Sequence, residues 1–254
     1  MQPELYRADP SLRGKLRRRL VRLYQRRPAT AGLQRPMVSF AFDDAPASAA
    51  HSGAEILQAR DLKGAYFISA GLAGQSGHMG GYAAPDDVLR LAQNGHEIAC
   101  HTYSHLDCGQ ADAPAVQAEL DRNARALADW GVSAPVTFAY PYGDVGFPGK
   151  RIVASRFALS RGLTPGLIGP GTDLNQAPAV SIEGAQGEAV GRRWLAQAKA
   201  RQAWVILFAH AVEADAAEFA VSKNTLARLA NEAIAEGFEV VTVAEGAKRM
   251  RAAA

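Results

Sequence analysis

Two histidines four residues apart, His101 and His105, stand directly after a short apolar segment, Glu97–Cys100. If the chain coils into a helical turn there, both imidazole rings lie on one face, about one turn apart. Two neutral imidazoles presented in this way supply half of a zinc-type site. A histidine pair in an arbitrary protein is more often surface or capping chemistry, so a metal site needs a carboxylate from elsewhere in the chain.

Two adjacent carboxylates, Asp43 and Asp44, follow the apolar segment Met37–Phe42. Neighbouring charges are costly in an ordinary turn because they repel each other and become partly desolvated. A metal removes this conflict if one carboxylate binds it and the other stays beside it; the alternative for either aspartate alone is a helix cap. Asp44 and the two histidines make a three-ligand set with an open position, typical of a catalytic metal, and zinc or a similar divalent ion suits these ligands.

Two further segments end in residues that could take part in chemistry. In Thr137–Gly143 a proline fixes the backbone and a glycine permits a tight bend, so the amide of Tyr142 either faces a ligand or belongs to a simple β-turn. His210 follows the apolar segment Trp204–Ala209, where a lone histidine is usually just partly buried. All of these residues follow predicted strands, and the carboxyl ends of parallel strands share the face of a (β/α) barrel on which sites are built.

Strand and helix patterns alternate from Met37 onward without a break in composition. The alternation predicts an α/β fold with a parallel sheet covered by helices, a distorted (β/α) barrel of seven or eight units, with a doubly wound open sheet as the alternative. No GxGxxG or Walker sequence follows a strand, which disfavours nucleotide binding. The predicted strands are Met37–Phe42, Ala65–Ser69, His96–Cys100, Val136–Tyr140, Leu163–Ile168, Ala203–Phe208, Phe238–Val243 and, more weakly, Ala179–Ile182. The predicted helices are Ala49–Ala59, Pro85–Gln93, Ala113–Trp130, Gly149–Arg161, Glu188–Arg201 and Thr225–Glu236.

The composition is that of an ordinary soluble globular chain, with 254 residues, 48% of them hydrophobic and 21% charged. No apolar run reaches the roughly 20 residues that cross a bilayer, and the N-terminus lacks the apolar core of a signal peptide. The two cysteines, Cys100 and Cys108, do not make a disulfide framework, and Cys100 is expected to pack in the core. We therefore expect a cytoplasmic protein.

The basic residues are concentrated in an N-terminal arm. Residues 1–36 hold 10 of the 28 Lys+Arg and only 2 of the 25 Asp+Glu, so the remainder is mildly acidic. Residues 11–27 repeat leucine at helical spacing with arginines on the other faces, which predicts an amphipathic helix ended by Pro28. Such a helix either lies on an anionic membrane surface or packs its leucines on the body; without a basic face on the body, nucleic acid is not an expected partner. We divide the chain into this arm, residues 1–35, and one domain, residues 36–254.

Taken together, the segments FAFDDAP, HEIACHTYSH, FAYPYG and LFAH resemble the polysaccharide deacetylase family, the NodB-homology carbohydrate esterases, over roughly residues 36–243. The resemblance implies a distorted (β/α) barrel and a metal-dependent de-N-acetylation, with Zn²⁺ as the expected ion. Within the family, the chain is most similar to bacterial holdfast or exopolysaccharide N-acetylglucosamine deacetylases. The implied partner is an N-acetylated glycan. Because the N-terminus does not read as a signal peptide, we expect that glycan to be a cytoplasmic or inner-leaflet precursor, lipid-linked or free, and the basic helix then predicts peripheral membrane contact through residues 11–27.

The resemblance also implies a role for each candidate site residue. Asp43 would be the general base and His210 the general acid, while the backbone N–H of Tyr142 would stabilise the oxyanion. The implied metal ligands are Asp44, His101 and His105.

The chain departs from the family pattern at two points. Many members carry an arginine three residues before the tyrosine of the fourth-strand motif; here that position is Ala139, so another group must hold Asp43. The family segment that supports the acid histidine is also poorly matched, and Asp173 is either that support or a loop aspartate without a role. The alternatives to a deacetylase are a deformylase or amidase acting on another lipid-linked amino sugar, and a non-catalytic glycan-binding protein.

Overall fold

A computed structural model describes residue 9 and residues 11–251 of the chain. Eight parallel strands form one curled sheet, and two pairs of short strands lie outside it. In chain order the strands are β1 (Met37–Asp43), β2 (Ala65–Ile68), β3 (Ser76–Gly77), β4 (Gly80–Gly81), β5 (Glu97–Cys100), β6 (Thr137–Ala139), β7 (Leu159–Arg161), β8 (Val180–Ser181), β9 (Trp204–Ala209), β10 (Ala211–Glu213), β11 (Ala220–Ser222) and β12 (Glu239–Val240). The sheet order is β7-β6-β5-β2-β1-β9-β8, with β12 also paired to β1. The α/β class and the distorted (β/α) barrel are confirmed.

Helices lie between most successive strands of the sheet, as parallel pairing favours, and also before β1 and after β12. They are α1 (Leu12–Val21), α2 (Ala54–Gln58), α3 (Pro85–Gln93), α4 (Ala113–Asp129), α5 (Phe147–Arg156), α6 (Gly187–Arg201), α7 (Lys223–Ala235) and α8 (Val243–Met250). A π-helical segment, Ala49–Gly53, leads into α2, and 3₁₀ turns cover Ala70–Leu72 and Pro141–Gly143.

The central strands are buried on both faces, which explains their near-continuous apolar sequences. Along β1, Met37 and Ala41 face the interior of the barrel, while Val38 and Phe40 face the surrounding helices. This alternation of faces places Asp43 on the interior side.

Two predicted elements near β7 are wrong. The helix predicted over Gly149–Arg161 ends at Arg156, and residues 159–161 form β7, paired with β6. The side chain of Arg27 donates hydrogen bonds to the carbonyl groups of Phe157 (2.6 Å) and Ala158 (3.0 Å), just past the end of α5. These contacts satisfy carbonyl groups beyond the last turn and direct the chain into the sheet. No strand forms over Leu163–Ile168 in the described structure, apart from an isolated bridge between Ile168 and Trp204.

The predicted strand Phe238–Val243 is also too long. Within that range only β12, Glu239–Val240, is a strand, and α8 begins at Val243. The side chain of Thr242 accepts a hydrogen bond from the amide of Glu245, and the Glu245 carboxylate accepts one from the amide of Thr242. This capping box starts a helix where apolar alternation indicated a strand.

The N-terminal arm forms a shorter helix than residues 11–27. Ser11 caps α1 by accepting a hydrogen bond from the Gly14 amide, and α1 ends at Val21. Residues 1–8 and 10 of the predicted arm lie outside the described residues. No helix in the described part of the chain is both long and apolar enough to cross a membrane. The division into arm and domain stays a prediction.

Candidate active site

The carboxyl end of β1 carries two buried acidic residues, Asp43 (2% exposed) and Asp44 (8% exposed). Asp44 and Ala45 both have left-handed backbone angles, with φ of 56° and 45°. Aspartate tolerates this conformation better than most residues, so the chain leaves the strand in a tight turn immediately after Asp43. The turn gives the two neighbouring carboxylates different surroundings.

The two histidines lie in a loop rather than in the helical turn that their spacing suggested. Thr102 and His105 have positive φ angles of 63° and 59°, and the loop follows β5 directly. The Glu119 carboxylate on α4 accepts hydrogen bonds from the amides of Tyr103 (3.0 Å) and Ser104 (2.6 Å), which fixes the middle of the loop. The result brings the two imidazole rings to a centroid distance of 4.9 Å without a helix.

Asp44, His101 and His105 form a cluster with the donor set of a divalent metal site. Nε2 of each histidine lies 3.7 Å from Oδ1 of Asp44, and the three ligand atoms all lie within 4.8 Å of one another. Among the described residues, no hydrogen-bond partner reaches the buried Oδ1 of Asp44. A buried carboxylate oxygen that faces two imidazole nitrogens and has no hydrogen-bond partner destabilises the folded protein unless a cation is bound between them. The three residues therefore fit a metal ion.

The histidines are held in the neutral form that binds metal. Burial lowers the pKa of His101 to about 3 and also lowers that of His105. Nδ1 of His101 lies 2.8 Å from the carbonyl oxygen of Ala139 and donates its proton there, which leaves the lone pair on Nε2 toward Asp44. His210 directly follows Ala209, which lies opposite Phe42 in the paired strands β9 and β1, so His210 leaves the sheet at the same end as Asp43.

Asp43 is paired with Arg161, a residue that the sequence interpretation missed. The guanidinium donates from Nη2 to Oδ1 of Asp43, and both side chains are buried. Arg161 lies on β7 directly opposite Ala139 on β6, so it reaches the same interior face from the neighbouring strand. Arg161 therefore gives Asp43 the charged partner that Ala139 cannot provide.

Aromatic rings hold Arg161 in this position. Its guanidinium carbon lies 4.4 Å from the centroid of Phe67 and 4.9 Å from that of Phe208. Desolvation lowers the pKa of Arg161 to about 9, while the nearby Glu183 opposes this shift, so the guanidinium stays charged at neutral pH. Nε and Nη1 of Arg161 have no hydrogen-bond partner within the described structure.

Glu183 is the partner of His210, and it too was missed. Oε1 of Glu183 lies 2.6 Å from Nδ1 of His210 and accepts a hydrogen bond from the His210 amide at 2.8 Å. The two residues follow β8 and β9, which are adjacent strands of the sheet. Asp173, the expected support, instead lies 2.7 Å from Nζ of Lys150 and accepts a hydrogen bond from the Arg27 amide. Asp173 therefore holds the arm and α5 rather than the acid histidine.

Tyr142 lies at the rim of the same cluster. It has a φ of 58° inside the 3₁₀ turn Pro141–Gly143, and its ring centroid lies 4.4 Å from that of His105. Its side chain is 41% exposed. The structure thus brings all six predicted site residues to one face of the barrel and adds Arg161 and Glu183.

Cys100 takes no part in this cluster. Its thiol is buried, the Asn123 side-chain amide lies 3.2 Å from its sulfur, and burial raises its pKa to about 11. The expected packing role of Cys100 agrees with this position, because a protonated buried thiol is a poor metal ligand.

The family model described as "Polysaccharide deacetylase" matches residues 31–154 of the chain. This match contains β1, β5 and β6, and with them the three metal-ligand candidates and Tyr142. A search among curated proteins finds no similar sequence.

Several solved structures share the fold. A Mycobacterium smegmatis protein described as a polysaccharide deacetylase superposes with a TM-score of 0.67 at 18% identity, covering 90% of this chain and 96% of its own. The chitin deacetylase of Colletotrichum lindemuthianum gives a TM-score of 0.58 at 16% identity, with coverages of 88% and 91%. A family 4 acetyl xylan esterase from Clostridium thermocellum, solved with a cobalt ion, gives 0.59 at 15% identity, with coverages of 82% and 89%. At these identities the likeness shows a common fold.

Proposed function

We propose that this protein is a metal-dependent hydrolase of N-acetylated glycans. The match to the polysaccharide deacetylase family model and the fold shared with a protein described as a polysaccharide deacetylase support this proposal. The proposed reaction removes acetyl groups from N-acetylglucosamine-type residues of a bacterial exopolysaccharide or of its lipid-linked precursor. The observation that carries the proposal is the cluster of Asp44, His101 and His105 beside two paired acid–base groups.

The three ligand candidates would hold a divalent cation, and Zn²⁺ suits two imidazoles and one carboxylate. The acetyl xylan esterase that shares the fold was solved with a cobalt ion, which supports divalent-metal binding as part of this proposal. When bound, such an ion supplies Lewis acidity next to the acetamide carbonyl.

The other residues divide the proton transfers between them. Asp43 takes a proton from the water that attacks the acetamide carbon, and Arg161 holds the Asp43 carboxylate in place. The backbone N–H of Tyr142 donates to the carbonyl oxygen as negative charge develops there. His210 gives a proton to the departing nitrogen as the C–N bond breaks, and Glu183 stabilises the imidazolium from which that proton comes. The products are acetate and a free amine on the sugar.

The paired acid and base favour an enzyme over the non-catalytic alternative. Ala139 raised the question of a binder, because the position lacks the family arginine. With Arg161 on Asp43 and Glu183 on His210, each group has the partner that proton transfer needs. A binding protein needs neither pair.

The decisive test measures acetate released from N-acetylglucosamine oligomers by the full-length protein, together with its metal content. We expect turnover that stops with a chelator and returns with a divalent ion. Asp43→Asn is expected to lower kcat by about 10²–10⁴-fold without loss of metal, because it removes only the base. Asp129→Asn, at an exposed aspartate of α4, is the matched control and should change nothing.

Other outcomes separate the alternatives. Bound metal without acetate release from any N-acetylated sugar would favour the glycan-binding protein. Release of formate from an N-formyl sugar, without acetate from N-acetyl substrates, would favour the deformylase.

A further inference from the structure

Helix α1 turns its leucines away from the body of the protein. The leucine stripe consists of Leu12, Leu16, Leu20 and Leu23, whose side chains are 84%, 56%, 46% and 73% exposed. At 100° per residue, Leu12, Leu16 and Leu20 fall within about 80° of one another around α1, and Leu23 lies in the turn just after the helix ends at Val21. Buried Gly14 and Val21 lie on the opposite side, so the helix packs on the body through its back. The stripe is therefore a solvent-facing apolar surface rather than part of the core, which excludes packing of these leucines on the body.

Positive charge borders the leucine stripe on both sides. The same helical spacing puts Arg13 on one edge and Arg19 on the other, with Lys15 and Arg22 farther around. The sequence contains no acidic residue between Asp9 and Asp43, so nothing in this stretch neutralises the arginines. An apolar face between basic edges is complementary to an anionic lipid surface, where the leucines enter the boundary region and the arginines meet headgroup charge.

Contacts to the site loops hold α1 in place. Nη2 of Arg17 lies 2.5 Å from Oδ2 of Asp144, and its Nη1 donates to the carbonyl of Gly109. Asp144 lies two residues after Tyr142, and Gly109 lies in the loop that follows His105. Val21 packs in the same apolar cluster as Tyr140 and Val145. The leucine stripe is thus attached to the loops that carry the candidate site.

We propose that the leucine stripe docks on an anionic membrane surface and that this docking places the site beside membrane-anchored substrate. The alternative is that the leucine stripe binds the same stripe on a second copy of the chain. Pairing two stripes would bring Arg13 and Arg19 of both copies together, and like charges oppose that contact. The choice of a lipid-linked glycan as substrate rests on the proposed function, whereas the docking itself does not.

Vesicle co-sedimentation of the full-length protein tests the docking. We expect binding to phosphatidylcholine vesicles that contain phosphatidylglycerol, little binding to phosphatidylcholine alone, and weaker binding at high salt. Leu16→Gln combined with Leu23→Gln should lower the partition coefficient at least tenfold. The matched control is Val136→Gln combined with Ile234→Gln, two exposed apolar residues on other surfaces, which should bind within twofold of the wild type. Point substitutions are preferable to deletion of the arm, because Arg27 and Ala29 are built into the body.

Several results would overturn the docking: no wild-type binding to anionic vesicles, equal binding to neutral ones, or binding that the leucine variant leaves unchanged. A dimer in light scattering that the leucine variant dissociates would assign the stripe to a second copy instead. Acetate release from a soluble oligomer should be the same in the leucine variant and the wild type. A wild type that binds anionic vesicles but releases no acetate would contradict the proposed function and leave the docking intact.

Discussion

The metal side of the site and the acid–base side differ in how their polar atoms are satisfied. On the metal side, Oδ1 of Asp44 is buried with no hydrogen-bond partner among the described residues, and Nε2 of His101 and of His105 faces it at 3.7 Å. On the acid–base side, Asp43 has Arg161 and His210 has Glu183. One side is electrostatically incomplete until a cation binds, whereas the other is neutralised by the protein itself.

This difference indicates which residues should depend on each other. The metal-ligand candidates come from the ends of β1 and β5, separated in the sheet only by β2, and a bound ion would link them. The proposed base, Asp43, and the proposed acid, His210, each contact one charged partner from another part of the sheet, and Asp43 and Arg161 are 118 residues apart in the sequence. Substitutions on the acid–base side should therefore change turnover without changing metal content.

Among substitutions of the two charged partners, Arg161 and Glu183, replacing Arg161 should have the larger effect. Arg161→Ala is expected to lower kcat by about 10²-fold, because the Asp43 carboxylate loses the group that orients it. The unpaired buried carboxylate should also cost about 3–5 kcal/mol of unfolding free energy. Metal content, measured by elemental analysis, should stay at the wild-type level. Arg193→Ala, at an exposed arginine of α6, is the control for loss of an arginine.

Moving the arginine from position 161 to position 139 distinguishes its effect on the position of Asp43 from its effect on stability. Ala139 and Arg161 lie opposite each other in neighbouring parallel strands, so an arginine at 139 points to the same interior face. The double variant Ala139→Arg with Arg161→Ala should recover most of the stability and at least tenfold of the lost kcat. Recovered stability without recovered turnover would contradict the positioning role.

Replacing Glu183 should have a smaller effect. Glu183→Gln keeps a hydrogen-bonding group next to Nδ1 of His210 but removes the charge that stabilises its imidazolium, so we expect kcat to fall by about 10-fold. Asp173→Asn is the matched control, since Asp173 contacts Lys150 and the arm. That control should lower the melting temperature while kcat stays within twofold. A larger loss of kcat from Asp173 than from Glu183 would reverse the assignment.

The sequence was sufficient to predict that Asp44, His101 and His105 lie together, because they follow recognisable apolar strands, in the motifs FDD and HTYSH. The partners on the acid–base side carry no such local signal. Arg161 lies in a segment whose spacing indicated a helix, and only the pairing of β7 with β6 places it on the interior face beside Asp43. Glu183 follows β8, a two-residue strand that apolar alternation marks only weakly. Partners that meet through sheet order rather than local spacing require the structure.

The barrel itself was predictable for a related reason. Its strands are continuous apolar runs that repeat with helices between them, and local pattern suffices for that. The C-terminal end of α5 and the start of α8 could not be predicted from the local pattern. Arg27 contacts the carbonyl groups just past the end of α5, and the Thr242–Glu245 capping box starts α8. The loop between His101 and His105 was also misjudged, since Glu119 on α4 holds it in a non-helical form.

The two buried histidines at the ends of β5, His96 and His101, also differ in whether their ring nitrogens have protein partners. His101 leaves Nε2 facing Asp44, whereas both ring nitrogens of His96 have protein partners: Nδ1 accepts a hydrogen bond from the Gly64 amide (3.0 Å), and Nε2 lies 2.9 Å from the Gln58 side chain. His96 should therefore affect stability and not metal binding. Burial lowers its pKa from 6.5 to about 4.

The sign of the pH effect follows from that lowered pKa. Between pH 6.5 and 4 the unfolded chain binds a proton at His96 that the folded chain does not, so the stability that neutral His96 contributes is lost as the pH falls. From pH 7.5 to pH 5 this loss is about 2 kcal/mol. His96→Gln should be less stable than the wild type at pH 7.5, and urea unfolding should show this gap narrowing by about that amount at pH 5. A gap that stays constant with pH would mean that His96 has the same pKa in the folded and unfolded protein. A loss of metal would place His96 on the metal side of the site.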